Sequence, residues 1–283
     1  MFGYSRQVYY RAKRTRERKQ VRAQQVISLV QNVRIQMPRL GTRKLYVLLE
    51  QELKELGVGR DQLFRILKAN KMLIKRTKSY HITTNSHHRF RKHKNLLTEL
   101  KIKRPEQVWV SDITYIGNRS NPMYLALVTD AYSKKIMGYD VSNTLALSGS
   151  LRALKMAVKK RQYPTKKLIH HSDRGFQYCS DDYQDELKTK KIKCSMTETY
   201  DPYANAVAER VNGILKQEFL GETSKHSLKV TKEIVRQSID IYNVKRPHYS
   251  CYMNTPEQTH KQQKIKIRTY KSKRLRKNVL SES

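Results

Sequence analysis

The sequence predicts an α/β protein with a mixed five-stranded sheet flanked by helices, preceded by an all-α region with a helix-turn-helix pattern. Three observations carry this. Residues 21–70 show apolar side chains at helical spacing, punctuated by Pro38, Gly41 and Gly57. At residue 107 the texture changes to alternating, β-branched and aromatic runs. From there three strand-like runs follow one another, and then strands alternate with helices, which makes the sheet mixed. At 283 residues the chain is long enough for about two domains.

In order, residues 5–19 predict a basic segment that is helical only in part. Residues 21–35 follow as a helix on Val26, Leu29, Val30 and Val33. Residues 42–56 carry Leu45, Leu48, Leu49, Leu53 and Leu56, an amphipathic helix ending at Gly57. After the Gly57-Val58-Gly59 turn, residues 60–70 form a second helix, with Arg60, Gln62, Arg65 and Lys68 on its polar side. Those side chains suit phosphates and base edges. Residues 77–104 are polar and rich in His and Lys. His81, His87, His88 and His93 lack accompanying cysteines, so a solvated linker is the reading rather than a metal site.

Strands are predicted at 107–116, 122–130, 135–142, 167–171 and 191–197. Helices are predicted at 145–161, 181–190, 204–220 and 229–244. The tail 261–277 holds nine Lys or Arg and no acid, and is expected to order only on nucleic acid. The resulting boundaries are 1–80 for the helical region, 81–104 for the linker, 105–260 for the α/β core and 261–283 for the tail.

The formal net charge is +35, distributed as +21 over residues 1–104, +4 over 105–220 and +10 over 221–283. A polyanion is the partner this implies, because each Lys or Arg that neutralises a phosphate releases a counterion. Hydrophobic residues at 38% support a real core and exclude full disorder. No apolar run reaches the ~18 residues a membrane span needs. Cys179, Cys194 and Cys251 are odd in number and contain no C-x-x-C, which argues against a disulfide framework or a cysteine zinc site and for a reducing, intracellular setting.

Three acids stand out in this cationic chain. Asp112 falls inside the first core strand, Asp173 just beyond a later one, and Glu209 within a helix. At ~100° per residue, Asn205, Glu209, Asn212 and Lys216 share one arc of that helix and Val207, Val211 and Ile214 the opposite one. Three carboxylates suit two Mg²⁺ ions, which take oxygen ligands and serve in-line displacement at phosphorus. By counting alone Asp130, Asp140 and Asp201 also qualify. Asp130 is the strongest of these, although Tyr132-Ser133 beside it points to a turn.

The motifs around these acids settle the family. His171-Ser172-Asp173-Arg174-Gly175-Phe176-Gln177-Tyr178, then Glu209 after 35 intervening residues and Lys216 seven further on, form one set. Tyr242-Asn243, Arg246-Pro247-His248, Thr255-Pro256 and an early Gly41, Arg43, Leu45 complete it. In these the chain resembles the D-D-E transposases of insertion-sequence family three, OrfB type, and more broadly the retroviral-integrase superfamily, over roughly residues 40–260. The resemblance implies an RNase H-like core with Asp112, Asp173 and Glu209 as catalytic metal ligands for two Mg²⁺ (or Mn²⁺) ions. Water frees a 3′-hydroxyl, and that hydroxyl attacks a second phosphodiester. Lys216 would contact DNA, as would Gln177 and Asn205, with His171 behind the ligands.

Many relatives read D-N-A before the Glu, whereas this chain reads Ala204-Asn205-Ala206. The retroviral zinc domain is not present. The implied partners are double-stranded DNA, as element terminal repeats and target, a second copy of the chain to synapse two ends, and an upstream OrfA-type protein. The implied setting is the cytoplasm, on the nucleoid of a bacterium. Two rivals are a non-catalytic DNA-binding regulator and a structure-selective RNase H-like nuclease. A tyrosine recombinase fits poorly, since its chemistry needs no acidic triad.

Overall fold

The computed structural model describes residues 5–75, 93–118, 120–197, 206–221 and 226–261. It divides into two compact units, Met1–Tyr80 with Gln217–Gly221, and His81–Lys216 with Glu222–Ser283.

The first unit is all-helical. Helix α1 runs unbroken over Arg6–Gln36, capped by the Ser5 side chain. The basic segment is therefore helical throughout, because its Arg, Lys, Gln and Ala residues are good helix formers and no Pro intervenes before Pro38. Only the C-terminal half of α1 packs, through Val26 and Val30. Arg34 fixes its end by donating to Met72 O at 2.9 Å and Leu40 O at 3.3 Å. Helices α2 (Thr42–Leu48) and α3 (Glu50–Glu55) are one kinked helix. Its bonding continues through the kink, from Leu49 N to Leu45 O and from Leu53 N to Leu49 O, both 2.9 Å.

Gly57 ends that helix with φ 63°, a left-handed conformation that glycine adopts without steric cost. Val58 N then reaches back to Leu53 O and Gly57 N to Lys54 O, which satisfies the last carbonyls. Helix α4 (Arg60–Ala69) follows. Leu45, Leu53, Leu63 and Leu67 are fully buried between these helices, each contributing about 2 kcal/mol of transfer free energy.

The second unit is built on a five-stranded sheet of order β3-β2-β1-β4-β5. The strands are β1 (Val108–Tyr115), β2 (Tyr124–Asp130), β3 (Ile136–Ser142), β4 (Ile169–Ser172) and β5 (Lys193–Met196). β1, β2 and β3 pair antiparallel, while β4 joins β1 and β5 joins β4 in parallel. This is the expected mixed RNase H-like sheet. Helices α5 (Leu147–Lys159), α6 (Phe176–Cys179), α7 (Asp181–Thr189), α8 (Ala206–Ile214), α9 (Leu228–Val244) and α10 (Pro256–His260) complete it. The short α6 and α10 were not expected from periodicity, since neither is long enough to show one.

Alternation along β1 sorts its two faces. Trp109 and Ile113 join Ala126, Val128, Met137, Leu154 and Tyr183 in the main core, under α5 and α7. Val108 and Val110 face the other way and pack with Ala208 of α8. On the first face Gly138 of β3 lies against α5 so closely that a Cβ there would stand 2.0 Å from Ala153 O. The absence of a side chain is what allows the helix to seat.

The described part of the expected linker is not free. Met196 N donates to Lys94 O at 3.4 Å and Leu96 N to Ser195 Oγ at 2.9 Å, so this segment runs beside β5. Leu97, Leu100 and Ile102 pack against the Val108–Val110–Ala208 cluster. Apolar side chains inside a cationic stretch draw it onto the sheet. Of the four linker histidines only His93 is among the described residues. The tail is described only to Lys261.

A buried polar node ties α10 to the sheet. Asp130, at the end of β2, accepts from Ser133 N, Ser133 Oγ and Glu106 N, each at 2.7 Å. Glu106 is fully buried and meets Arg161 at 3.1 Å. Burial works against the Glu106 charge, yet His260, Arg161 and the Gln162 and Tyr163 amides together hold its carboxyl below the ordinary value. His260 lies 3.4 Å from Glu106 and 3.8 Å from Asp130. Burial opposes its protonation, but the nearby Asp130 and Glu106 carboxylates outweigh that, and Lys135 subtracts only a little, so its value is raised.

A raised folded-state value means that the stabilisation from protonated His260 is full below the imidazole's ordinary value and fades as pH rises through the raised one. Replacing His260 with Gln should therefore cost about 2 kcal/mol near pH 6, and the deficit should narrow by about pH 9. Denaturant unfolding of both proteins at the two pH values measures this; a deficit that does not change with pH would remove the charge from the account.

Candidate active site

Asp112 is positioned by the period of its strand. It shares the face of Val108 and Val110, so it points to the α8 side of the sheet rather than into the main core. Its register partner on β2 is Leu127. On the parallel side Val110 pairs with His171. Asp173 follows directly after the last residue of β4, and its charge acts on Asp112. Helix α8 supplies the third side. Asn212 donates its Nδ2–H to Asp112 Oδ2 at 2.7 Å, while Ile113 N donates to Asp112 Oδ1 at 2.9 Å.

Electrostatics report the same gathering. Burial pushes Asp112 up, Asp173 and then Glu209 push it further, and the Asn212 and Ile113 bonds restrain it, leaving a value of about 7. Lys216 lies within reach of the same carboxylate: burial lowers its ammonium and Asp112 draws it back up. The three sequence-selected acids thus share one electrostatic environment. Among the described residues, however, no three His, Cys, Asp or Glu side chains converge tightly enough to enclose an ion. Asp112 is engaged by Asn212, Asp173 accepts from Gly175 N at 3.0 Å, and Glu209 is exposed.

The loop after β4 is shaped around Asp173. A Cβ on Gly175 would sit 3.0 Å from Asp173 Oδ1 and 3.3 Å from Gln177 Oε1, so the glycine makes room for the carboxylate turn. Gln177 was expected at DNA. Its side chain is buried and donates to Leu145 O at 2.8 Å, which holds the loop entering α5. His171 is buried on the face of the acids, with Nδ1 2.9 Å from Ser195 Oγ. Its neighbour His170 points to the other face, where Ser111 Oγ and Tyr183 OH approach Nε2 at 2.7 and 2.9 Å. Burial first, and then His171, lower the His170 value to about 3, so that ring is neutral.

Two details of α8 differ from the angular reading. Asn212 was expected to be presented with Glu209 but is buried; its place one turn on aims it at β1. The helix also widens into a π-helical turn over Leu215–Phe219, so Lys216 departs from the regular 100° progression. Asn205 lies outside the described residues. Arg60, Gln62, Arg65 and Lys68 belong to the helical unit, where Arg65 and Lys68 are exposed and Arg60 pairs with Asp61 at 3.0 Å.

The other acids are accounted for. Asp130 pairs in register with Trp109, and Asp140 with Ala126, so both face the main-core side, opposite Asp112. Asp140 receives two bonds from Arg152, at 2.8 and 2.7 Å. Asp201 lies outside the described residues.

Comparison with known proteins agrees with this picture. The integrase core domain family matches residues 102–202, and a second integrase core domain family matches 190–256. An uncharacterised 31 kDa protein of insertion element IS600 from Shigella sonnei is 34% identical over 254 residues, covering 88% of this chain and 92% of that protein. The transposase InsF of insertion sequence IS3A from Escherichia coli K12 is 36% identical over 155 residues, 54% of each chain. A putative transposase of element IS986/IS6110 from Mycobacterium tuberculosis is 34% identical over 152 residues, 52% of this chain and 55% of that protein. The chain thus spans about half the length of these two transposases and nearly all of the Shigella protein. The HTLV-2 integrase catalytic core, solved with magnesium, aligns with 56% of this chain and 97% of its own at 19% identity and a TM-score of 0.44. The chain belongs to the D-D-E transposases of insertion sequences, within the integrase superfamily.

Proposed function

We propose that this chain cuts and joins the DNA ends of its own insertion sequence, with Asp112, Asp173 and Glu209 as the catalytic carboxylates. The observation that carries the proposal is the half-buried Asp112, which Asn212 ties to α8 and whose ionisation Asp173 and Glu209 both oppose. A site that strains against its own charge in this way is one that a divalent cation relieves. The donors are all oxygen, which fits Mg²⁺, with Mn²⁺ as the alternative. Two ions held there would activate the attacking oxygen and stabilise the leaving one.

The chain's own residues do the positioning. Asn212 fixes the Asp112 carboxylate from α8 at 2.7 Å. Gly175 N orients Asp173. Lys216, half-buried beside Asp112, offers a cation to a phosphate entering the site. Helix α4 would read the terminal repeats through Gln62, Arg65 and Lys68, its polar face leaving the helix pair behind it to pack. Two ends must meet, so a homo-oligomer is proposed, with an OrfA-type protein as a further partner. Among the described residues no helix is long and apolar enough to cross a membrane. The proposed setting is the bacterial nucleoid.

Replacing Glu209 with Gln, or Asp112 with Asn, should abolish metal-dependent nicking of labelled terminal-repeat DNA while DNA binding persists. Cleavage at the normal rate by either variant would end the carboxylate assignment. Asn212→Ala should slow cleavage ~10–100-fold without loss of fold by circular dichroism; an unchanged rate would make its bond to Asp112 incidental. Arg65→Ala should reduce the preference for terminal-repeat over random duplex, a specificity of ~1–3 kcal/mol per good base contact. Equal preference in variant and wild type would show that α4 does not read the ends.

A further inference from the structure

The reading of DNA by α4 leaves the N-terminal half of α1 without a task. Residues 6–22 carry eight basic side chains and a single acid, Glu17. Every one of these residues is exposed. The helix is continuous through them, so they form a rod about 25 Å long.

The cations oppose one another along this rod. Arg14, Arg18 and Arg22 follow at four-residue spacing, and Arg11–Arg14, Lys13–Arg16 and Arg16–Lys19 at three. Like charges at these spacings weaken a helix. An anion laid alongside reverses the sign of that contribution.

The angular distribution says which anion. At 100° per residue the eight cations encircle the helix, and no gap between them exceeds about 80°. A helix that lies on a flat anionic surface keeps its cations on one side. Here the apolar side chains, Val8, Tyr9, Tyr10 and Val21, are exposed and scattered around the axis rather than gathered into a stripe. A membrane surface therefore has no face to bind. Duplex DNA differs in that its major groove, about 12 Å wide, admits an α-helix between two walls of phosphate. A rod that is cationic all round satisfies both walls at once.

We propose that residues 6–22 of α1 enter the major groove of duplex DNA, as a grip separate from the proposed reading helix α4. The inference rests on the reading of DNA as the partner. Because its charge is spread round the helix, this grip supplies affinity without discriminating between sequences, whereas α4 discriminates.

The test uses the full chain and a variant with Arg11, Arg14, Arg18 and Arg22 all replaced by Gln. Binding to a labelled duplex carrying the terminal repeat is followed by fluorescence anisotropy across a salt series, alongside thermal unfolding of both proteins. At about 0.9 per lost phosphate contact, the slope of log affinity against log salt should flatten by up to about 3.6, with thermal unfolding not lowered and the preference for the terminal repeat retained. Wild type should also shield guanine N7 from dimethyl sulfate in the major groove at positions the variant leaves reactive. An unchanged salt slope would overturn the proposal. A flattened slope with identical N7 reactivity would overturn the groove and leave a grip on phosphates alone. If wild type itself does not bind duplex DNA, the DNA reading falls and this inference with it. Loss of repeat preference in Arg65→Ala with an unaltered salt slope would show the two helices acting separately, as proposed.

Discussion

A half-buried carboxylate in the central strand is the constraint around which the second unit is arranged. Asp112 pairs with Leu127 of β2 and lies two residues beyond the last pair of β1 with β4, Val110 with His171, and its side chain is half-buried between the sheet and α8. Burial and two neighbouring acids raise it to about 7. What keeps the arrangement folded is a pair of donors, the Ile113 amide from the same strand and Asn212 from α8. The second donor depends on α8 being seated on the sheet. Its seat is the small cluster of Val108, Val110 and Ala208, to which Leu97, Leu100 and Ile102 add cover. The segment before β1 is therefore part of the machinery that presents Asp112, although its composition is that of a linker.

The sheet separates two kinds of acid by face. Asp130, Glu106 and Asp140 lie with cations or with a histidine, and each has a purely architectural partner: Ser133 and His260, Arg161, and Arg152. Paired charges of this kind hold α10 and α5 in place. Asp112, on the other face, is held by the Asn212 amide and the Ile113 N–H, with the Lys216 ammonium nearby, and Asp173 at its edge accepts from Gly175 N. Asp130 shows how sharp the division is: it precedes the turn to β3 just as Asp173 follows β4, yet three short bonds from within the protein satisfy it completely.

Much of this was legible in the residues. The five strands, their succession along the chain and the principal helices follow from alternation and helical spacing, and the spacing of the Asp173 and Glu209 motifs singled out the acids proposed for the site. What could not be read was anything that depends on register. That Asp112 and Asp130 face opposite sides follows from the pairing of Trp109 with Asp130 and Asp112 with Leu127, which no single strand reveals. The burial of Gln177 and its bond to Leu145 O join loops 32 residues apart. The π-helical turn at Leu215–Phe219 has no periodic signature in so short a stretch. Asn212 was visible on the right arc of its helix, but its importance comes from one contact with a strand 100 residues earlier. That α1 is unbroken was not legible, because residues 6–22 carry no apolar stripe to show a helical period; intrinsic propensity and the anchors at Val26 and Val30 sustain it.

The distribution of charge resolves an apparent contradiction in a protein that would bind DNA with +35 overall yet bring acids together where phosphate must lie. On the proposed function, Asp112, Asp173 and Glu209 would repel a phosphodiester until a cation neutralised them, so affinity would have to originate elsewhere, in the cationic residues of the helical unit. Those helices work at any divalent concentration and weaken with salt as their counterions return. The acidic site behaves oppositely: it turns from repelling to attracting phosphate only once its own charge is neutralised. Holding DNA and reacting with it thus depend on different variables, salt for the one and divalent cation for the other. A chain arranged in this way can hold an end tightly and leave it uncut, and the surplus of positive charge at both termini need not be matched by any surplus at the reacting centre.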